Sequence, residues 1–281
     1  MDTLNYGKAL ECAQERWKKL ANINYIPVNN GFEITYQLLH HCTNRCMNCS
    51  LCAPYLPISF VPLEEIRQDI DQLAVFFNKP CVSIMGGEPL LHPDIIKILS
   101  YVQDKFLYTG IVTNIMPLTK DLGEQFVTVC KQYNIHISVS DYDFNQDKIK
   151  LLDSLLTKYD YHNCQITSWR TTWSRRAYSV KPVKHSIWNN KSSCLAGMCP
   201  TVYRGRLYSC DGSSFLNLNE LIPNLVKDDP QDYINIYKQK FNDFIKLMQH
   251  PLSFCDHCIK HADHWRESTS LEQYLNGKVI K

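Results

Sequence analysis

Three cysteines within eight residues constrain this chain more than any other feature. The run His41-Cys42-Thr43-Asn44-Arg45-Cys46-Met47-Asn48-Cys49 reads Cys-x3-Cys-x2-Cys. Phe32, Ile34, Tyr36 and Leu38 alternate with more polar neighbours just before it, the pattern of a strand. Thiolates this close on one loop can wrap one face of an iron–sulfur cube and leave the fourth iron without a protein ligand. An open coordination position is where chemistry takes place, the distinction that separates catalytic from structural zinc. A three-cysteine zinc site is the alternative reading. Both need free thiols. The chain has 13 cysteines, an odd number, and no apolar leader or membrane-length run. That predicts a reducing cytoplasm rather than a disulfide scaffold. With 44% apolar and 21% charged residues, a sizeable core is expected. A net charge of +2 points to neither nucleic acid nor a membrane surface as partner.

Beyond the cysteine loop the pattern alternates. A helix is predicted from about Ser59–Leu63, with Pro62 early, Glu64 and Glu65 in its first turn, and Ile66, Ile70, Leu73 and Phe77 on one face. Cys81–Met85 reads as a short buried strand ending in Gly86-Gly87. Helix Asp94–Phe106, strand Leu107–Thr113, helix Thr119–Tyr133, strand Ile135–Ser140, helix Gln146–Tyr159 and a weaker strand near Gln165–Thr167 follow. Successive strand–helix units favour a parallel sheet with right-handed crossovers. They are too few for an eight-fold closure. The expected fold is α/β, a partial (β/α)6-type TIM barrel. After about residue 170 the alternation stops. A hairpin over Val202–Cys210 around Gly205 and a helix over about Pro230–Met248 are predicted there, the latter from Ile234, Tyr237, Phe241, Phe244, Ile245 and Met248. The expected division is 1–31 as a helix (about Gly7–Leu20) and linker, 32–182 as the barrel, and 183–281 as a small cysteine-rich domain.

The second strand ends in Met85-Gly86-Gly87-Glu88-Pro89. Two glycines there allow a close approach to the backbone, and Glu88 is an acceptor for an ammonium group. An ordinary strand-to-helix turn would read the same way. Taken with the cysteine loop roughly forty residues upstream, the order and placement resemble the radical S-adenosylmethionine superfamily. The resemblance implies that Cys42, Cys46 and Cys49 hold a [4Fe–4S] cluster whose free iron chelates S-adenosylmethionine. It implies that Gly86, Gly87 and Glu88 line the methionine amino group, and that the product is a 5′-deoxyadenosyl radical that abstracts a substrate hydrogen. Thr113 and Asn114, ending the third strand, and Ser138 and Ser140, near the end of the fourth beside Asp141, match positions where the family places polar cofactor contacts. Ser138 and Ser140 share a face. One departure is Asn48, where the family has an aromatic residue packed near the adenine.

The second cysteine group reads Cys194-x10-Gly205-x4-Cys210, then Cys255-x2-Cys258. This order resembles the twitch module, a shortened SPASM domain holding one auxiliary [4Fe–4S] cluster. The resemblance implies Cys194, Cys210, Cys255 and Cys258 as its ligands, with Cys199 as a rival for Cys194. Zinc is the alternative, since Cys255, Cys258, His261 and His264 form Cys-x2-Cys-x2-His-x2-His.

Twitch-bearing relatives include dehydrogenases of cyclitols or sugars and carbohydrate epimerases, and SPASM-bearing relatives include peptide-modifying enzymes. About thirty residues precede the first strand, which argues against leader-peptide binding within this chain. The expectation is therefore an oxidoreductase or epimerase acting on a small sugar-like molecule, supplied with electrons by a donor such as flavodoxin or ferredoxin. A peptide maturase working with a separate binding protein, and a zinc-stapled non-catalytic binding protein, are the alternatives. Trp169 and Trp173 with Arg170, Arg175 and Arg176 would suit a sugar phosphate or nucleotide sugar, or form a solvated linker. An epimerase needs a thiol hydrogen donor, for which Cys52, Cys164 and Cys199 are the candidates. Cys12, Cys81 and Cys130 read as buried packing residues.

Overall fold

The computed structural model describes residues 33–47, 49, 51–53, 55–168, 173–178, 200–211, 222, 224–225, 229–248 and 251–263, with backbone alone for 173–178 and 259–263. The expected N-terminal helix, Cys12, Asn48, Trp169, Arg170, Trp188, Cys194, Cys199 and His264 lie outside the described residues.

Five parallel strands follow in chain order: β1 (Ile34–Gln37), β2 (Cys81–Met85), β3 (Tyr108–Thr113), β4 (His136–Asp141) and β5 (Cys164–Ser168). Helices α1 (Leu63–Phe76), α2 (Ile95–Tyr101), α3 (Lys120–Tyr133) and α4 (Gln146–Lys158) connect them. The register runs Ile34↔Val82, Ile84↔Ile111, Ile111↔Ile137 and Ile137↔Cys164. This is the expected partial barrel, and among the described residues the sheet is not closed. β6 (Trp173–Tyr178) pairs with β10 (Cys258–Asp263) as a separate antiparallel ribbon. The predicted hairpin is β7 (Thr201–Tyr203) and β8 (Arg206–Tyr208), and it continues the main sheet rather than standing apart. β7 lies parallel to β1, and β9 (Ile234–Asn235) adds to β8, giving the order β5-β4-β3-β2-β1-β7-β8-β9.

Local chemistry explains the boundaries. The Thr119 hydroxyl accepts from Leu122 N–H at 3.2 Å and caps α3, which ends at Asn134 in the left-handed region, φ 52. α1 begins after Pro62 with Glu64 and Glu65 in its first turn, as expected. Its predicted face, Ile66, Ile70, Leu73 and Phe77, is buried against the sheet. The alternation expected of β1 is absent. All four of its residues are buried, Thr35 and Gln37 included, because a central parallel strand is covered on both faces.

The helix expected over 230–248 is a correction. Pro230–Asp232 is a single 3-10 turn, Ile234–Asn235 is β9, and α5 begins only at Phe241 and ends at Leu247. Polar side chains break the helix before it starts. Asp229 accepts from Gln231 N–H, Asn235 accepts from Tyr237 N–H, and Gln239 accepts from Asn235 N–H. The apolar spacing was compatible with a helix, yet Ile234 belongs to a strand. α5 packs edge-on against the end of α1, with Phe77 5.6 Å from Phe241 and 5.5 Å from Phe244.

Sheet register separates two faces. Tyr36, Ile84, Ile111 and Ile137 lie in one row, and Tyr36 reaches Asp69 of α1, so this face meets the helices. Val112, Ser138 and Gln165 form a row on the other face, followed along β4 and β5 by Ser140 paired with Thr167. No helix among the described residues is long and apolar enough to cross a membrane.

Candidate functional site

The C-terminal ends of β1–β4 surround one cavity. Cys42, Cys46, Cys49, Gly86, Gly87, Glu88, Thr113, Asn114 and Ser140 all line it, with Asn44, Leu51, Met85, Val112 and Tyr142. Ser138 is on the same face as Ser140 but does not line the cavity.

The glycines have a reason that the sequence pattern did not supply. A Cβ on Gly87 would stand 2.0 Å from the His41 carbonyl oxygen, and one on Gly86 2.6 Å from Leu39 Cδ2. The close approach is made by the chain itself. Gly87 N–H donates to Leu39 O at 3.0 Å and Glu88 N–H to His41 O at 2.8 Å. These contacts press the root of the cysteine loop against the end of β2.

Glu88 is fully buried. Its Oε1 accepts from Thr113 Oγ1 at 2.6 Å and Leu90 N–H at 3.0 Å, and its Oε2 from Asn114 N–H at 2.7 Å. Burial pushes its carboxyl up to about 7, against the opposing pull of these three donors. Asn114 also donates from Nδ2 to Cys42 Sγ at 3.6 Å, and Asn44 N–H donates to the same sulfur at 3.4 Å. Burial raises the Cys42 thiol pKa, and Asn44 N–H opposes that rise.

Two residues that the sequence did not single out complete the wall. Tyr142 is buried at the end of β4, with its hydroxyl 4.0 Å from Cys46 Sγ and its ring stacked on Phe144 at 5.3 Å. Asn145, with no exposure, accepts from Tyr142 N–H and donates to both Ser140 O and Asn114 O. It thereby ties the ends of β3 and β4 together. The Tyr-Asp-Phe-Asn run after β4 was the available signal; the pattern of apolar spacing did not mark it.

Other candidates fall elsewhere. Cys52 is completely buried in the core, and Cys164 sits at the start of β5 in register with Ile137, toward Cys130 of α3. Neither lines the cavity. Cys81 and Cys130 are buried, as expected. Cys210 follows β8, Cys255 begins a 3-10 turn, and Cys258 begins β10; all three are half-buried against the main core. A larger hollow of about 660 Å3 is lined by Asp229, Asp232, Asp243, Lys246 and Asp256. Its carboxylates hold local structure, Asp232 accepting from Ser253 N–H and hydroxyl and Asp243 from Lys240 N–H.

Among the described residues, no group of three or more His, Cys, Asp and Glu side chains is arranged to hold a single metal ion. The donor set suits the cube. Three soft thiols line one cavity, N–H groups donate to Cys42 Sγ, and Asn44 Nδ2 is buried beside them with no hydrogen-bond partner.

The family model for the Radical SAM superfamily matches residues 36–187, more than half the chain, and the chain belongs to that superfamily. Its cofactors are S-adenosylmethionine and a [4Fe–4S] cluster. Among curated proteins it is similar to the antilisterial bacteriocin subtilosin biosynthesis protein AlbA of Bacillus subtilis (strain 168). The identity is 30% over 105 residues, covering 37% of this chain and 23% of that protein. The AdoMet-dependent heme synthase of Methanosarcina barkeri is 30% identical over 93 residues, 33% of this chain and 26% of the synthase. The matched stretches are thus a minor part of either relative. The crystal structure of BtrN in complex with AdoMet and 2-DOIA shares the fold, with a TM-score of 0.54 at 15% identity over 80% of this chain and 92% of that one.

Proposed function

We propose that this chain abstracts hydrogen from a neutral, carbohydrate-like small molecule and so oxidises or epimerises it. The observation that carries the substrate class is the row beside the cavity. Ser138 and Gln165 are paired, Ser140 and Thr167 are paired, and all four are hydroxyl or amide side chains without charge. Such a surface matches hydroxyl groups by hydrogen bonding, and these four side chains carry no cation to balance a phosphate or carboxylate.

In this reading Cys42, Cys46 and Cys49 hold the [4Fe–4S] cluster. Glu88 and the backbone at Gly86 and Gly87 receive the amino group of S-adenosylmethionine, and Thr113 orients Glu88 through its 2.6 Å hydrogen bond. Asn114 and Ser140 supply the remaining polar contacts to the cofactor, while Ser138 stands outside the cavity. When bound, cluster and S-adenosylmethionine together supply the hydrogen-abstracting radical. Cys194, Cys210, Cys255 and Cys258 hold an auxiliary cluster in a twitch-like segment, 183–281, next to a barrel at 32–182. An electron donor such as flavodoxin or ferredoxin and a cytoplasmic location complete the reading.

The sequence likeness to a bacteriocin biosynthesis protein favours a second reading, a maturase acting on a separately delivered peptide. Product analysis in deuterated buffer separates the two. Reconstituted protein is incubated with S-adenosylmethionine and a panel of cyclitols, aminocyclitols and sugars. The expected result is 5′-deoxyadenosine together with a product two hydrogens lighter, or one deuterium heavier without net oxidation. Turnover on peptides alone would reject the carbohydrate reading.

A further inference from the structure

Asn44 stands mid-way along the cysteine loop, two residues from Cys42 and two from Cys46. It is 6% exposed and lines the cavity. Its Oδ1 accepts from Thr43 Oγ1 at 3.4 Å, and that hydroxyl also lies 3.3 Å from Asn114 Oδ1. Its Nδ2 is buried and has no hydrogen-bond partner. A buried amide donor left unpaired bears its full desolvation penalty, and native structures keep few of them. The unmet donor therefore points to an acceptor that arrives with a ligand. The neighbouring donors show which acceptor this wall offers. Asn44 N–H and Asn114 Nδ2 both donate to Cys42 Sγ, at 3.4 and 3.6 Å.

We propose that Asn44 Nδ2 donates a hydrogen bond to a sulfur of the iron–sulfur cluster and thereby positions the cluster and raises its reduction potential. This rests on the reading that Cys42, Cys46 and Cys49 hold the cluster. A donor aimed at sulfur stabilises the more negative, reduced state, so its removal drives the potential down. Asn44 is a positioning residue in this scheme. It takes no part in electron or hydrogen transfer itself.

The test compares full-length reconstituted wild type with Asn44→Ala and Asn44→Asp. Iron content is measured first. The potential is then followed by electron paramagnetic resonance without S-adenosylmethionine, on the signal that responds when S-adenosylmethionine is added. Asn44→Ala is expected to load as much iron as wild type, with a reduction equilibrium about tenfold less favourable, which is about 59 mV for one electron. Asn44→Asp keeps the shape but turns a donor into a negative acceptor, and its shift should be larger in the same direction. An unchanged potential in both variants overturns the proposal. So does an unchanged potential with weakened S-adenosylmethionine affinity, which would assign the donor to the cofactor carboxylate instead. If wild type and a Cys42→Ala, Cys46→Ala, Cys49→Ala variant bind equal iron, the cysteine assignment has failed and the proposal with it.

Discussion

A carboxyl group with no solvent exposure, surrounded by two N–H donors and one hydroxyl, stores a pH dependence in the fold. Glu88 is that group, and burial is the larger influence on it, lifting its pKa from 4.5 to about 7 despite the donors. A folded value above the unfolded one means that the folded chain holds the proton more tightly. The stability Glu88 contributes is therefore complete below about pH 4.5, and it is lost as the pH rises through about 7. The loss amounts to roughly 3 kcal/mol over that window. Glu88→Gln cannot ionise, so the cofactor-free variant should lose markedly less stability than wild type between pH 5 and 8. Denaturant melts at several pH values check this. Parallel curves for the two proteins would show that Glu88 does not titrate in the window. Thr113 matters here as well, because its hydroxyl both donates to Glu88 and accepts from Ile115 N–H, holding the β3 end against the carboxyl group.

Between elements, one buried side chain couples α1 to the hairpin. Asp69 has no exposure; its Oδ2 accepts from Tyr36 hydroxyl at 2.8 Å and Gly205 N–H at 3.0 Å, and its Oδ1 from Tyr237 hydroxyl at 2.5 Å. Gly205 can occupy this turn because its φ is +69 and a Cβ there would meet Tyr237 Cε2 at 2.8 Å. Asp69→Asn offers an N–H to a set of donors, and it is expected to cost about 2–4 kcal/mol. Hydrogen exchange should then quicken in 201–208 before it does in β2–β4; uniform or unchanged exchange would show that Asp69 does not hold the hairpin. Asp69 was illegible in the sequence, being one of four acids within an amphipathic helix, where the commoner fate is solvent. The five barrel strands were legible because apolar runs alternated with 3.6-period helices over a long stretch. The cysteine loop was legible because its spacing carries chemistry by itself. Ile234–Met248 misled because apolar residues three and four apart fit a helix, while Asn235 and Gln239 spend their side chains on turns. Asn145 and Tyr142 were missed because their role depends on the ends of β3 and β4 meeting, which no local pattern records.

At the scale of the whole molecule, the described residues of the C-terminal segment share the barrel's core rather than hanging from it. β7 lies against β1, Tyr237 reaches Asp69, and Phe241 and Phe244 pack on Phe77. Cys210, Cys255 and Cys258 are half-buried against that same core. An auxiliary cluster on these residues would thus be fixed relative to the cavity at the strand ends, and its loss should leave the first cluster intact. Anaerobic reconstitution of wild type should yield about eight irons per chain. A Cys42→Ala, Cys46→Ala, Cys49→Ala variant should hold about four, with no spectroscopic response to S-adenosylmethionine. A Cys255→Ala, Cys258→Ala variant should also hold about four, but keep that response. If wild type stops at about four irons while binding one zinc that the second variant loses, the C-terminal cysteines form a structural zinc site and the two-cluster reading is wrong.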